Sequence, residues 1–316
     1  MTALSWVTID DIRSAADRIR GHVHRTPVLT SRTLDKELSA QCFFKAENLQ
    51  RIGAFKARGA VNAVLSLDEE AASRGVVTHS SGNHAAACAY AASIRSIPCT
   101  VVMPSSAPAV KVVAVRGYGA EIVFCEQSER EEVCARVQKE TGAFLLHPFA
   151  NAQVVAGQGT ATREFLNDVG ALDVLFVPVG GGGLSAGAAI AAEAISPRTR
   201  VLLAEPKAVD DAARSLATSV LQPAVPSPKT WADGLLTALG EPNFEVLRHL
   251  GAEVVTVEED AMVDAARFFL QRMKTVVEPS AATVLAAMRA AADSLKGLRV
   301  GAILSGGNTD FAWLQR

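Results

Sequence analysis

Short apolar runs alternate along this chain with longer alanine-rich segments of helical period, and this alternation limits its possible folds more than any other feature. The apolar runs predict strands at Gln41–Glu47, Gly75–Ser80, Cys99–Pro104, Ala120–Cys125, Phe144–Phe149, Val174–Val179, Arg200–Glu205, Ala252–Val257 and Arg299–Leu304. Helices are predicted at Phe55–Leu67, His84–Ile94, Ala109–Arg116, Arg130–Thr141, Gln153–Asn167, Leu184–Ile195 and Asp260–Met273. Strands separated by helical segments of about 10–15 residues form βαβ units, and these units build parallel sheets.

Several predicted strands are apolar along their whole length, which is expected where helices cover both faces of a sheet. Residues 175–179 read LFVPV and residues 201–205 read VLLAE. A chain of 316 residues is long enough for about two domains. The predicted fold class is therefore α/β, with mostly parallel twisted sheets flanked by helices. Thr8, followed three residues later by Asp11, predicts a helix start, and the proline-containing Leu221–Gly234 predicts a surface loop.

The charge balance excludes several classes of partner. The chain has 31 basic and 33 acidic residues, and only 5% of its residues are aromatic. Nothing in this composition attracts nucleic acid or an anionic membrane surface. No apolar run reaches 18 residues, and the start of the chain does not read as a secretory signal. The five cysteines form no C-x-x-C pair, so buried thiols in the cytoplasm are expected rather than disulfides or zinc.

A run of four glycines, Gly180–Gly183, lies between a predicted apolar strand and an alanine-rich helix. Backbone N–H groups without side chains, at the positive end of a helix, can bind a phosphate. The same run also fits the dinucleotide-binding pattern G-x-G-x-x-A through Ala186, and Glu205 ends the next strand, where a ribose-binding acid would lie. This segment alone does not decide between the two.

Two further strand ends carry polar residues. The segment Gly75–Ala85 ends a strand with two serines, glycine, asparagine and histidine, and these residues could hold a substrate carboxylate at a helix start. The segment Arg299–Asn308 ends a strand with Ser305 and two glycines, so that a neutral hydroxyl could face a ligand. Each pattern by itself also fits an ordinary helix cap or turn.

A lysine, Lys56, stands beside Phe55 near the start of a predicted helix. Most lysines on helices are solvated, but the helix dipole does not favour a lysine at the first turn. A desolvated lysine is the usual amine for covalent attachment of a carbonyl compound.

Taken together and in this order, the four segments resemble the fold-type II pyridoxal-phosphate enzymes, and within them the threonine/serine dehydratase and serine racemase family. The resemblance runs from about Thr26 to Asn308 and includes His147-Pro148, Ala156–Thr160 and Ala232–Gly234. It implies a two-domain fold like that of tryptophan synthase β, with residues 1–74 and 152–316 in a large cofactor-binding domain and residues 75–151 in a small mobile domain. The dinucleotide reading, that of an NAD-dependent Rossmann enzyme, explains only one of the four segments.

The resemblance assigns a role to each matching residue. Lys56 would bind pyridoxal 5'-phosphate covalently and remove the Cα proton of the substrate as a base. Phe55 would lie near the cofactor ring, Asn83 would bond the ring hydroxyl, and Ser305 would meet the ring nitrogen. Further cofactor contacts are implied for Gly180, Gly181, Gly182, Gly183 and Glu278. Ser80, Ser81, Gly82 and His84 would bind the substrate carboxylate, and Arg130 would lie near the substrate entrance.

The implied activity is β-elimination: a dehydratase, or ammonia-lyase, would convert a β-hydroxy amino acid such as L-threonine or L-serine to a 2-oxo acid and ammonia. A neutral serine at the ring nitrogen suits elimination better than transamination. The alternative is a serine-type racemase with Lys56 and Ser81 as its two acid/base groups. Phe149, after His-Pro, is more typical of dehydratases.

The resemblance also implies a divalent cation and a homodimer. Glu205, the carbonyl of Val209 and Asp211 would bind Mg²⁺ or Ca²⁺, although acids at a helix start are common without a metal. Three positions depart from the family pattern: Ile52 and Ala54 replace hydroxyl residues before Phe-Lys, and Ala86 replaces a glutamine. These changes predict a substrate preference shifted away from plain serine or threonine.

Overall fold

The computed structural model describes residues 6–80, 82–107 and 109–315 of the chain. Its α-helices are α1 Ile9–Arg18, α2 Arg32–Leu38, α3 Lys56–Leu65, α4 Glu69–Ser73, α5 Asn83–Arg95, α6 Ala109–Gly117, α7 Arg130–Thr141, α8 Ala152–Val169, α9 Gly183–Ile195, α10 Asp211–Thr218, α11 Glu241–His249, α12 Glu259–Phe268, α13 Pro279–Ala290 and α14 Ala292–Leu295. Its strands are β1 Val28–Thr30, β2 Gln41–Lys45, β3 Val76–His79, β4 Cys99–Pro104, β5 Glu121–Cys125, β6 Phe144–Leu145, β7 Val174–Pro178, β8 Arg200–Pro206, β9 Glu253–Val257 and β10 Arg299–Ile303.

The strands form two sheets, which confirms the predicted α/β class. The larger sheet has six strands in the order β1-β2-β10-β7-β8-β9, and the smaller has four in the order β5-β4-β3-β6. All neighbours are parallel except β1 and β2. The smaller sheet lies wholly between residues 75 and 151. It stays a prediction that residues 75 and 151 are domain boundaries and that the segment between them is mobile.

Helices cover both faces of each sheet because the strands are apolar on both sides. On the larger sheet, one face packs against α2, α12 and α13, and the other against α1, α8, α9, α10 and α11. The smaller sheet is covered by α3 and α5 on one face and by α7 on the other. All five cysteines are buried free thiols, as expected. Within the described residues, no helix combines the length and apolarity needed to cross a membrane.

Most predicted elements are present, with two corrections. The strand predicted at Phe144–Phe149 ends at Leu145, because the chain then turns and the N–H groups of Phe149 and Ala150 point to Nδ1 of His147. The helix predicted to end at Met273 ends at Phe268 and continues as one wider turn. Thr8 and Asp11 form the predicted capping box at α1.

Because the strands are parallel, the loops with the candidate functional residues lie at one edge of each sheet. The loops that leave the carboxyl ends of β3, β7 and β10 are the segments that the sequence analysis singled out. In open α/β sheets, ligands bind beyond these ends. Lys111 of α6 forms an ion pair with Asp233 at 2.6 Å. This pair links α6 to the segment that contains Asp233.

Candidate active site

Lys56 is the first residue of α3, and its side chain points towards the strand ends of the smaller sheet. Its Nζ donates a hydrogen bond to the carbonyl oxygen of Pro148 at 2.8 Å, and it lies 5.1 Å from the ring centre of Phe55. Burial lowers the pKa of Lys56 to about 8. A neutral amine therefore forms much nearer physiological pH than it does for a solvated lysine, as a nucleophile or base requires.

The backbone before Lys56 is fixed to the loop after β10. The N–H of Phe55 donates to the carbonyl of Ser305 at 2.9 Å, and the N–H of Gly307 donates to the carbonyl of Gly53 at 2.9 Å. Gly53 has φ +73°, and a Cβ there would lie 2.5 Å from Oδ1 of Asn308. Glycine is therefore required at this turn, and the turn sets where α3 begins and where Lys56 points.

The glycine loop follows β7 and leads into α9, which begins at Gly183. Gly182 has φ +85°, and a Cβ on Gly181 would lie 2.2 Å from the ring of Phe149. The N–H groups of Gly180, Gly181 and Gly182 donate to no other described residue. Free N–H groups at the start of a helix form a site for a phosphate or another anion.

The side-chain amide of Asn83 makes hydrogen bonds to both Glu278 and Asn308. Its Nδ2 donates to both carboxylate oxygens of Glu278, at 3.0 and 3.1 Å. Its Oδ1 accepts from Nδ2 of Asn308 at 2.8 Å. Glu278 is only 4% exposed, and burial is the main reason why its pKa is raised to about 7. Asn308 was named only as the end of the motif, so its side-chain contact is a new feature of the site.

Ser305 lies at the end of β10, close to these groups. The residue is 4% exposed, and its hydroxyl makes no hydrogen bond within the described part of the chain. This hydroxyl is therefore free to bind a ligand atom.

The turn after β3 contains the residues predicted to bind a carboxylate. The N–H of Gly82 donates to Oγ of Ser80 at 3.2 Å, and α5 starts at Asn83. Nε2 of His84 lies 2.9 Å from the carbonyl of Leu146, and its buried Nδ1 has no hydrogen-bond partner among the described residues. Burial is the largest factor lowering the pKa of His84 to about 3. His84 is therefore neutral near physiological pH. Ser81, predicted as a catalytic and substrate-binding residue, lies outside the described residues.

Arg130 begins α7 and lies close enough to His79 for its charge to act on that ring. His79 ends β3, and its ring centre is 6.3 Å from that of His147. Sequence reasoning did not single out His79. His147 was quoted only as part of a motif.

A buried ion cluster lies beneath Lys56 and centres on Arg58. The Arg58 guanidinium makes hydrogen bonds to both oxygens of Glu47, at 2.7 and 2.8 Å, and to both oxygens of Glu164, at 2.9 and 2.8 Å. Lys45 adds a contact to Glu164 at 3.0 Å. Arg58, Glu47 and Lys45 are fully buried. This cluster ties α3 to β2 and α8 directly after the Lys56 turn.

Two of the three predicted metal ligands, the carboxylates of Glu205 and Asp211, lie at the start of α10. The two oxygens of Glu205 accept from the N–H groups of Ala212 and Ala213, both at 2.9 Å. Oδ2 of Asp211 accepts from the N–H of Leu239 at 2.8 Å. Burial is the main reason why the pKa of Glu205 is raised to about 8. The described residues contain no group of three or more histidine, cysteine, aspartate or glutamate side chains that could hold a metal, so the predicted set of two carboxylates and a carbonyl stays a prediction.

We expect Glu278→Gln to change how stability depends on pH. The native pKa of Glu278, about 7, lies above its ordinary value of 4.5, so the native state holds this proton longer than the unfolded state. Ionisation of Glu278 therefore lowers stability as pH rises from about 4.5 to about 7. The variant lacks this loss. Its free energy of unfolding relative to that of the wild type should therefore rise by on the order of 2–3 kcal/mol over that pH range.

Urea unfolding of the cofactor-free proteins at pH 5 and pH 8 measures this difference. Asp233 raises and Lys111 lowers the same pKa, so the Lys111–Asp233 pair is kept intact in both proteins. A stability difference that is equal at the two pH values would contradict the prediction.

Comparisons with known proteins agree on one family. A family model described as pyridoxal-phosphate dependent enzyme matches residues 19–306. A serine racemase of Oryza sativa subsp. indica is 47% identical over 97% of this chain and 92% of its own. An L-threo-3-hydroxyaspartate ammonia-lyase of Saccharomyces cerevisiae is 45% identical over 96% of this chain and 94% of its own. The solved structure of maize serine racemase is 45% identical and superposes with a TM-score of 0.93, over 98% of this chain and 96% of that one.

Proposed function

Because the chain belongs to the family of pyridoxal-phosphate-dependent enzymes, we propose that it is an ammonia-lyase that converts a β-hydroxy amino acid to a 2-oxo acid and ammonia. The observation that carries the proposal is the desolvated Lys56, whose pKa is lowered to about 8 by burial, together with the free N–H groups of the glycine loop. A relative named as an L-threo-3-hydroxyaspartate ammonia-lyase supports the reaction class.

The groups present fit pyridoxal 5'-phosphate. The free N–H groups of Gly180–Gly182 suit its phosphate, and a Cβ on Gly181 would close that cradle against Phe149. The unpartnered hydroxyl of Ser305 suits the ring nitrogen, and the amide of Asn83 suits the ring hydroxyl. The amine of Lys56 suits the aldehyde. When bound, the cofactor supplies the electron sink for the bond broken at the substrate Cα.

The residues of this chain supply position and proton movement. Nζ of Lys56, with its lowered pKa, takes the proton from the substrate Cα near neutral pH. Ser305 offers a neutral hydroxyl rather than a carboxylate, which favours elimination of the β-hydroxyl over transamination. The N–H groups at the start of α5 orient the substrate carboxylate. Overall the amino acid loses its β-hydroxyl as water, takes up one water, and yields the 2-oxo acid and ammonium.

We expect the enzyme to prefer a substituted β-hydroxy amino acid over plain serine and threonine. Ala54 and Ala86 are buried apolar side chains at positions where the family pattern has polar ones, so the site offers fewer partners to a small substrate. The test measures kcat/KM with 2-oxo acid detection for serine, threonine, 3-hydroxyaspartate and phenylserine. A clear preference for serine or threonine would exclude the shift, and no 2-oxo acid from any of the four would exclude the ammonia-lyase.

Racemisation is the second candidate function, since the rice and maize relatives are named serine racemases. It would use Lys56 and Ser81 as the two acid/base groups. The same reactions, followed by chiral chromatography, distinguish the two functions. D-amino acid formed faster than 2-oxo acid would make racemisation the main activity.

We also propose that Glu205, the carbonyl of Val209 and Asp211 bind Mg²⁺ or Ca²⁺. Three oxygens suit a hard cation, and burial disfavours the charge on Glu205, which a cation would offset. Addition of Mg²⁺ or Ca²⁺ to chelator-treated protein should raise its Tm by several degrees through binding to the native state. The Glu205→Gln variant should lose this rise, and a Tm that does not respond to either ion would exclude the site.

A further inference from the structure

The side chain of Asn243 joins the glycine loop to the segment that contacts Lys56, and the roles proposed so far do not use it. Asn243 is the third residue of α11 and is fully buried. Its Nδ2 donates to the carbonyl of Gly181 at 2.6 Å and to the carbonyl of Phe149 at 3.1 Å. Phe149 directly follows Pro148, whose carbonyl accepts from Nζ of Lys56. One amide thus contacts both the loop that suits a phosphate and the segment beside the reacting amine.

The neighbours of this side chain fix its orientation. Two carbonyl oxygens lie at Nδ2, and an amide oxygen in the same place would repel both, so only one orientation of the amide of Asn243 fits. Its Oδ1 is turned away from these carbonyls, and it is buried without a hydrogen-bond partner among the described residues. A buried acceptor without a donor lowers stability. The position is therefore not optimised for stability, and the two contacts of Nδ2 call for another explanation.

The contact with Gly181 determines the direction of a neighbouring N–H group. The carbonyl of Gly181 accepts from Nδ2 of Asn243 and also from the N–H of Gly240, at 3.2 Å. In a planar trans peptide the C=O and the N–H point in opposite directions, so the N–H of Gly182 points away from α11. Gly182 directly precedes α9, at the positive end of that helix. Asn243 therefore directs one of the free donors of the glycine loop.

The glycines make this contact necessary. Neither Gly181 nor Gly182 has a Cβ, so rotation of the peptide between them meets little steric resistance. A rotated peptide would turn its carbonyl oxygen towards a bound phosphate and its N–H away from it, and the two negative groups would repel each other. The hydrogen bonds that hold the carbonyl of Gly181 oppose this rotation.

We propose that Asn243 is a positioning residue for the phosphate of pyridoxal 5'-phosphate, because it holds the peptide between Gly181 and Gly182 with its N–H directed at that phosphate. The inference rests on the cofactor site of the proposed function, and it does not depend on which reaction the enzyme carries out. Loss of the Nδ2 donor should weaken the binding of a ligand that has the phosphate. It should leave the binding of the same ligand without the phosphate almost unchanged.

The experiment compares pyridoxal 5'-phosphate with pyridoxal, which has the same ring and aldehyde but no phosphate. Each ligand is titrated into the full-length chain after removal of its cofactor, and the visible absorption band gives two dissociation constants for each protein. Asn243→Ala removes the Nδ2 donor. Asn243→Asp keeps the shape of the side chain but replaces Nδ2 by an oxygen. Asn167→Asp, at an exposed position of α8, is the matched control.

The wild type should bind pyridoxal 5'-phosphate at least about 100-fold more tightly than pyridoxal, because several N–H groups donate to a charged group. In Asn243→Ala, the affinity for pyridoxal 5'-phosphate should fall about tenfold, and that for pyridoxal should change by less than about twofold. Asn243→Asp should lose about 100-fold for the phosphate-bearing ligand, since its oxygen repels the carbonyl of Gly181 and its charge repels the phosphate. Asn167→Asp should match the wild type.

An equal loss for both ligands in the Asn243 variants would overturn the proposal, because Asn243 would then support the fold without directing the loop. An unchanged affinity of Asn243→Ala for pyridoxal 5'-phosphate would overturn it as well. If the buried charge prevents Asn243→Asp from folding, Asn243→Ala decides alone, since it adds no charge. Failure of the proposed function would look different, because no β-hydroxy amino acid would then yield 2-oxo acid in the wild type, whatever the titrations show.

Discussion

Replacement of Lys56 by alanine should lower kcat at least about 10³-fold, because a positioned base contributes about 10²–10⁴-fold and the variant also loses covalent attachment of the cofactor. It should also abolish the visible absorption band that lysine-bound pyridoxal phosphate gives. The fold should persist, since the only described hydrogen bond lost is that to the carbonyl of Pro148, worth about 1 kcal/mol. Absorbance spectra, 2-oxo acid assays and Tm test these three points.

Lys139→Ala is the matched control, because Lys139 lies on the exposed side of α7. It should keep the band, the activity and the Tm. A variant of Lys56 that keeps both band and turnover would exclude Lys56 as the reacting amine. Loss of activity in a variant with a greatly lowered Tm would instead point to misfolding, and a Lys56→Arg variant with wild-type Tm then decides between the two.

Arg58→Met should be strongly destabilising. Its guanidinium makes bidentate contacts to Glu47 and Glu164. The methionine would leave Glu47 fully buried and without a cation. Removing one partner of a buried ion pair costs about 3–5 kcal/mol, which corresponds to a Tm lower by roughly 5–15 °C in a chain of this size. Differential scanning calorimetry measures the shift.

Arg248→Met is the comparison, because Arg248 pairs with Glu245 at 2.7 Å on the surface of α11. Exposed pairs of this kind contribute about 0–1 kcal/mol, so its Tm should change by only a few degrees. If Tm fell by a similar amount in the two variants, the buried Arg58 cluster would contribute no more stability than the exposed pair.

The fold could be predicted largely because the spacing of apolar residues in the sequence reflects which faces of its helices and strands are buried. Strands covered on both faces are apolar throughout, and β4 and α7 have the predicted bounds. Helix α13 was missed for the same reason: residues from Pro279 to Met288 are all buried, so the helix has no polar face and no period to detect. The short strand β1 was missed because three residues carry little pattern.

The candidate site could be predicted where side chains follow strand ends in recognisable order. Lys56, the glycine loop, Asn83 and Ser305 were found in this way, and their roles stay predictions. The contacts of Asn308, the His79–His147 pair and the Arg58 cluster could not be predicted, because each joins residues far apart in the chain. Which nitrogen of a histidine is protonated, or which arginine is buried, depends on such contacts rather than on the neighbouring sequence.

The contact between Gly181 and Phe149 has a consequence for natural variation. A Cβ on Gly181 would overlap the ring of Phe149 at 2.2 Å, and Nδ2 of Asn243 bridges the carbonyls of the same two residues. Neither position can therefore change freely. Related proteins with alanine at position 181 should carry a smaller residue at position 149, so that the two positions covary although they are not neighbours in the sequence.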